Sequence, residues 1–292
     1  MTSQLRTGMG FTTLDSLRGR PNQVGTIRIW DIGATWKDIH TGPDQYDWAK
    51  LDEIVAASAG ERIIYCIAAT PRWAAENPDA PHYAPWLGPG SNSLPGDVNA
   101  SWKPFVSNIA QRYKNRIHGY EIWNEPQLPD FMYPWNSDTR KRLAKMTNDA
   151  ARIIREFDPK AEVYSASVLP RSSSGGMEKG SKYLSALKTN GVKLDGYTCH
   201  LYPFVGDQDF GKMLSSVREC LPNKARLLVT ECAIDLLGPE TTSRTRIDAG
   251  VKDLYSAMRN DEEVIWYAWQ RPDLGGALLD STSSLWESIL QR

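Results

Sequence analysis

Two periodicities alternate along the chain. Short runs rich in β-branched and aromatic residues recur at TIRIW (26–30), RIIYCIAA (62–69), RIHGYEIW (116–123), AEVYSASV (161–168), DGYTCHLY (195–202), ARLLVTE (225–231) and EVIWYAW (263–269). Between them lie segments whose apolar residues return every three or four positions, the spacing of a helix with one buried face. Trp48, Leu51, Ile54 and Val55 form one such stripe, ended by Gly60. Trp102, Phe105, Val106, Ile109 and Tyr113 form another, and a third runs from Leu143 through Met146, Ala150, Ile153 and Ile154 to Phe157. Phe210 to Val217, Ile247 to Met258 and Ser283 to Leu290 complete the set.

Strand followed by helix, repeated, predicts parallel βα units. A weaker first strand around residues 9–13 brings the number of strands to eight. Eight units in 292 residues predict a single (β/α)8 barrel spanning residues 1–292. An open doubly wound sheet is the alternative, but no GxGxxG follows the first strand. The Gly-, Pro- and Ser-rich stretch 87–96 falls inside one βα loop, so it reads as an insertion in the barrel and not as a domain boundary.

Composition narrows the function. With 34 basic and 35 acidic side chains the net charge is −1, which offers no electrostatic footprint for nucleic acid or an anionic membrane. No apolar run approaches the roughly 18 residues of a membrane helix. The first residues, MTSQLRTGMGF, lack the apolar core of a signal peptide; this fits a cytoplasmic protein, or a secreted one whose leader has been removed. The four cysteines form no CxxC pair and are expected as free thiols. The four histidines show no HExxH or paired spacing, so neither a zinc site nor another metal or organic cofactor is expected. Eleven tryptophans are unusual, and exposed indoles stack on flat apolar faces such as those of sugar rings.

Active sites of such barrels form at the C-terminal ends of the strands. Glu125 ends the fourth strand in YEIWNEP and Glu231 ends the seventh in LLVTE, so both belong on one rim. Alternation along the seventh strand predicts Val229 and Glu231 inward, Thr230 and Cys232 outward. Two carboxyls facing each other across a rim suit glycosidic bond cleavage, one protonated and one ionised. The plainer alternative for each is an ion pair with a nearby arginine, or a helix cap. Arg28, set in an apolar strand, requires a carboxylate partner, with Glu231 and Glu121 as candidates.

The stretches RIWDIGATWKDIH, YDWAKLD, AATPRWAA, RYKNRIHGYEIWNEP and VTECA, in that order, resemble the clan A retaining glycoside hydrolases, with family 39 nearest and family 5 next. The resemblance implies Glu125 as acid/base and Glu231 as nucleophile acting on an oligo- or polysaccharide by double displacement. It further implies that Asn124 binds the sugar 2-hydroxyl, that Arg28 holds Glu231 ionised, and that the Tyr202 hydroxyl of a His200-x-Tyr202 pair donates to the nucleophile. Trp269 would floor the subsite of the cleaved sugar. Trp36, Trp73, Tyr83, Trp86 and Trp135 fall in predicted rim loops as stacking platforms, or else as loop anchors. Glu231 is expected to titrate low and Glu125 high, as a coupled pair.

Two features depart from family 39. The chain has no residues for the β-sandwich that many members carry, and residues 14–23 are too short and too rich in Arg, Gly and Pro for a full helix. A transglycosylase using the same intermediate and a non-catalytic carbohydrate-binding barrel remain as alternative functions.

Overall fold

The computed structural model describes residues 6–81, 84, 86–170, 176–203, 210–234, 242–270, 279–280 and 282–291. Its strands are β1 (Arg6–Gly10), β2 (Thr26–Ile29), β5 (Arg62–Ile67), β6 (Gly119–Ile122), β7 (Glu162–Tyr164), β8 (Tyr197–Leu201), β9 (Leu227–Cys232) and β10 (Glu263–Trp266), with a small hairpin of β3 (His40–Gly42) and β4 (Gln45–Tyr46) after β2. The eight long-range strands form one parallel sheet in the order β7-β6-β5-β2-β1-β10-β9-β8. Its two edges meet. Tyr164 bridges Gly196 and Val168 bridges Cys199, and the Val168 amide donates to the Thr198 carbonyl at 3.0 Å. The predicted (β/α)8 barrel is therefore the observed fold.

The helices between strands are α1 (Leu14–Arg18), α2 (Trp36–Ile39), α3 (Ala49–Ala57), α4 (Lys103–Arg112), α5 (Ser137–Phe157), α6 (Gly176–Thr189), α7 (Phe210–Arg218), α8 (Arg244–Ala257) and α9 (Ser284–Leu290). Several begin where a polar side chain takes up a free backbone N–H. Asn136 caps α5 by accepting from the Thr139 amide at 2.9 Å, and Ser243 and Ser283 start α8 and α9 in the same way. None of the described helices is long and apolar enough to cross a membrane.

The expectation for residues 14–23 is met: α1 has 5 residues. One helix escaped the pattern. The segment GMEKGSKYLSALKT of α6 carries two glycines and a short buried stripe, Tyr183, Leu184 and Leu187. A Cβ on Gly180 would lie 3.5 Å from Val168, an ordinary contact distance.

Most apolar side chains lie between the strands and the helices, where Trp36, Trp102, Phe105, Leu143 and Ile154 belong to one continuous cluster. Inside the barrel, Ile64, Tyr164, Leu228 and Ile265 form a separate apolar layer. Glycines make room for it: a Cβ on Gly119 would sit 2.6 Å from the Tyr164 ring, and one on Gly8 2.8 Å from Ile265. At the strand starts, Glu263 takes Arg62 at 3.0 Å and Arg226 at 3.1 Å, and Arg226 also holds Glu162 at 2.5 Å. At the opposite end, where the strands finish, stands a second polar cluster.

Candidate active site

Strand β6 stops where the backbone turns left-handed. Trp123 has φ +84° and Glu125 φ +35°, conformations that cost energy for residues with a side chain and persist only under surrounding constraint. The constraint is visible. The Trp123 indole is fully buried and donates to the Phe131 carbonyl at 2.8 Å, while the Glu125 amide donates to Ser167 Oγ at 3.1 Å. Gln127 clips the same turn to Leu169, donating to its carbonyl at 2.7 Å and accepting from its amide at 3.1 Å.

Strand β9 departs from simple alternation. Against β8, Val229 faces Cys199 but Glu231 faces His200; against β10, Val229 faces Val264 and Cys232 faces Trp266. The extra residue is a bulge, which bends a strand and re-aims its side chains. The sequence-based inward assignment of Val229 and outward assignment of Thr230 is thereby corrected. Leu228 belongs to the interior layer and Val229 to the outer core. Thr230 Oγ1 donates to Glu121 Oε1 across the barrel at 2.8 Å. The bulge then lets Glu231 face inward as well.

Arg28 links these pieces. Its Nε donates to Glu121 Oε2 at 2.8 Å, Nη2 donates to Asn124 Oδ1 at 2.8 Å, and Nη1 donates to Glu231 Oε1. Both candidate partners therefore hold it. The Tyr202 hydroxyl donates to Glu231 Oε2. His200 Nδ1 lies 2.6 Å from Glu125 Oε1 and 3.4 Å from Glu231 Oε2. Glu125 and Glu231 are each only 7% exposed, so the two carboxyls sit in a nearly closed, polar-walled space.

Electrostatics follow from that burial. Loss of water raises the Glu231 carboxyl above its ordinary value; His200, Arg28 and the Tyr202 hydroxyl pull it down, and Glu125 pushes it further up. The expectation of a low-titrating Glu231 is corrected. Arg28 divides its charge between Glu231 and Glu121, so less of it opposes desolvation. Burial works to lower the Arg28 guanidinium, but Glu121 and Glu231 hold it well above its ordinary value. Burial, then Glu231, keeps the Tyr202 hydroxyl protonated, as a donor must be.

Among the described residues, one oxygen from each of Glu125 and Glu231 and one His200 nitrogen lie within 4.8 Å of one another. A single cation could bridge them. The same set equally serves a metal-free proton exchange, because His200 and Arg28 already supply positive or donor groups to the two carboxylates.

The structure brings together Arg28, Asn124, Glu125, His200, Tyr202 and Glu231. Two of the tryptophans named as candidates lie in the core instead. Trp36 is fully buried, packs against Trp102 at 5.1 Å and donates to His40 Nδ1 at 3.1 Å, so it is core and not a platform. Trp269 is 1% exposed and packs on Trp286 of α9, so it too is core.

Near the place expected for Trp269 stands Tyr267, half-buried, 6.5 Å from the Tyr202 ring, with its hydroxyl donating to Asp31. Trp73 anchors a loop through an indole bond of 2.7 Å to the His40 carbonyl. Trp135 carries Arg140 over its ring, and Trp86 stays 50% exposed beside Trp30. Tyr83 lies outside the described residues.

Sequence reading missed Ser167, Gln127 and Tyr267, whose roles come from turns and not from periodicity. Glu121 carried one signal, a charge within a buried strand.

No protein-family model matches the chain, and no curated protein matches it in sequence. Solved structures do match. The fold is similar to that of the GH39 enzyme from Xanthomonas axonopodis pv. citri, at 19% identity and TM-score 0.69, over 92% of this chain and 59% of that one. It is similar to a GH39 β-xylosidase from Caulobacter crescentus at 17% identity and TM-score 0.70, over 99% and 71%. A GH10 xylanase from Thermobacillus composti aligns at 15% identity and TM-score 0.66, over 99% and 97%. The chain spans 59% of the Xanthomonas enzyme and 60% of a Croceicoccus marinus glucosidase. At these identities the likeness is one of fold, a (β/α)8 barrel.

Proposed function

We propose that this chain is a retaining glycoside hydrolase. The observation that carries the reading is the pair of buried, opposed carboxyls of Glu125 and Glu231, with oxygens within 4.8 Å. Oxygens this close favour the short carboxyl separation of retaining enzymes, ~5–5.5 Å, over the ~6.5–9.5 Å of inverting ones. Glu231, oriented by Arg28 and Tyr202, attacks the anomeric carbon as Glu125 protonates the departing oxygen. A glycosyl ester on Glu231 results. Glu125, now a carboxylate beside His200, takes a proton from water as that water attacks the same carbon. Two inversions give net retention. Asn124 presents its amide oxygen to Arg28, which leaves its NH2 for the sugar 2-hydroxyl.

The test is direct. A panel of aryl β-glycosides and polysaccharides, with β-xylosides first because the solved neighbours include a β-xylosidase and xylanases, should yield products whose first-formed anomer by NMR keeps the substrate configuration. An inverted anomer overturns the mechanism. Glu125→Ala should lose most of its activity on alkyl glycosides, which need a proton, and far less on activated aryl glycosides. Equal losses on both would remove Glu125 from the acid/base role.

A further inference from the structure

None of the steps assigned to Glu125 and Glu231 uses Tyr267, the first residue past β10. Backbone bonds pin that strand end on both sides. The Tyr267 amide donates to the carbonyl of Cys232, the residue after Glu231, at 2.9 Å. The Trp269 amide donates to the Gly10 carbonyl at 3.1 Å. With the backbone held, the direction of the Tyr267 ring is set by what its side chain meets.

Its hydroxyl donates to Asp31, just past the end of β2. Strand β1 stands between β10 and β2 in the sheet, so the side chain passes over the end of β1 to reach that carboxylate. Gly10, the last residue of β1, leaves the room. A Cβ there would sit 3.0 Å from Tyr267 Cδ2, a tight contact.

The same ring touches the support of the nucleophile. Tyr202 is buried and gives its hydroxyl to Glu231 Oε2. Its ring clusters with Leu169 and Ala233, and Tyr267 and Leu128 pack against that cluster. Tyr202 and Tyr267 meet edge to face, with centroids 6.5 Å apart and planes at 84°, a favourable arrangement for two aromatic rings. Burial, then Glu231, then Tyr267 raise the Tyr202 hydroxyl well above its ordinary value. A phenol oxygen rides at the tip of a rigid ring, so a small tilt of Tyr202 moves it off Glu231. Hydrogen bonds weaken steeply as they bend. Ring placement therefore decides how well Tyr202 orients the carboxylate.

We propose that Tyr267 is a positioning residue: anchored on Asp31, its ring holds Tyr202 so that the phenol hydroxyl stays aligned on Glu231. Asp31 thus acts on the nucleophile through two tyrosines in series. The consequence for turnover rests on the proposed hydrolase activity; the alignment itself does not.

The first measurement needs no substrate. In protein labelled with 13Cζ-tyrosine, the Tyr202 signal is assigned by its loss in Tyr202→Phe, and its position reports the strength of the hydroxyl's hydrogen bond. Tyr267→Phe keeps the ring but releases Asp31, and should move that signal upfield as the bond to Glu231 loosens. Asp31→Ala should move it the same way, and the double variant no further. Asp31→Asn, which still offers an acceptor oxygen, should restore most of the native position.

The second measurement is turnover of an activated aryl glycoside. Tyr267→Phe and Asp31→Ala should each cut kcat roughly threefold to tenfold, the range expected from loosening one edge-to-face aromatic pair. KM should stay within about twofold, as expected when uniform substrate binding is untouched. An unmoved Tyr202 signal, additive effects in the double variant, or a raised KM at unchanged kcat, the mark of direct sugar contact, would overturn the proposal. Protein whose Tyr202 signal moves as expected but which hydrolyses no glycoside would overturn the hydrolase reading and leave the positioning in place.

Discussion

Glu231 illustrates how one side chain's surroundings set its chemistry. Burial raises its folded-state pKa above the unfolded value. An acid shifted upward costs folding stability when it ionises: the cost is absent below the unfolded pKa and complete above the folded one. Glutamine cannot ionise. Glu231→Gln should therefore gain thermal stability relative to the native protein as pH rises above the ordinary glutamate range of about 4, with the two melting curves converging at the acid end. A variant that loses stability as pH rises would show that Arg28 and Tyr202 outweigh desolvation.

The Arg28 partnership predicts opposite effects from its two ends. Glu121→Gln frees more of the guanidinium charge for Glu231 and should move the acidic limb of the activity profile to lower pH. Arg28→Met combined with Glu121→Gln, which avoids stranding a buried carboxylate, should move that limb upward and cut kcat about a hundredfold. Limbs that do not move would leave both residues with a packing role alone. In the sequence only the need of Arg28 for a carboxylate was legible. That two carboxylates share it follows from β2, β6 and β9 converging in space.

Among the elements, β6 and β9 place the carboxyls by different devices. The end of β6 was readable because Asn124, Glu125 and Pro126 break an apolar run. The bulge in β9 was not, because LLVTEC contains neither glycine nor proline and its period of two looks unbroken. The register against β8 and β10 creates it. Interior packing sets a second limit on β6. Gly119→Ala would drive a Cβ toward the Tyr164 ring at 2.6 Å, and such overpacking costs roughly 1–3 kcal/mol. Its melting temperature should fall, with the pH profile unchanged. A fall in kcat at undiminished stability would mean that Gly119 acts on the turn at Glu125 and not on packing. Helix α6 escaped the periodicity because its buried stripe, Tyr183, Leu184 and Leu187, is short.

Across the whole molecule, the two ends of the barrel divide the work. Glu263 at the strand starts holds Arg62 and Arg226, far from the rim with Glu125. Glu263→Ala leaves both guanidiniums with Glu162 as the shared acceptor, so the loss should be about 3 kcal/mol, the low end for a broken buried pair. Melting temperature should drop by several degrees, while kcat/KM per folded molecule stays within twofold. A large loss of kcat/KM in fully folded protein would contradict that separation.

The alternation of strand and helix periods, each local to its unit, predicted the parallel βα architecture, and its eight units favoured a barrel over an open sheet. The same local reading put Glu125 and Glu231 at strand ends, and so on one rim. Tertiary structure decided the rest. It sent Trp36 and Trp269 into the core and left Trp86 exposed, because an indole's surroundings come from distant helices and loops. It turned Thr230 inward beside Glu231 through a register slip. It raised the Glu231 pKa where the sequence had suggested a low one, because desolvation depends on how completely eight strand ends enclose a group, and no stretch of chain carries that information alone.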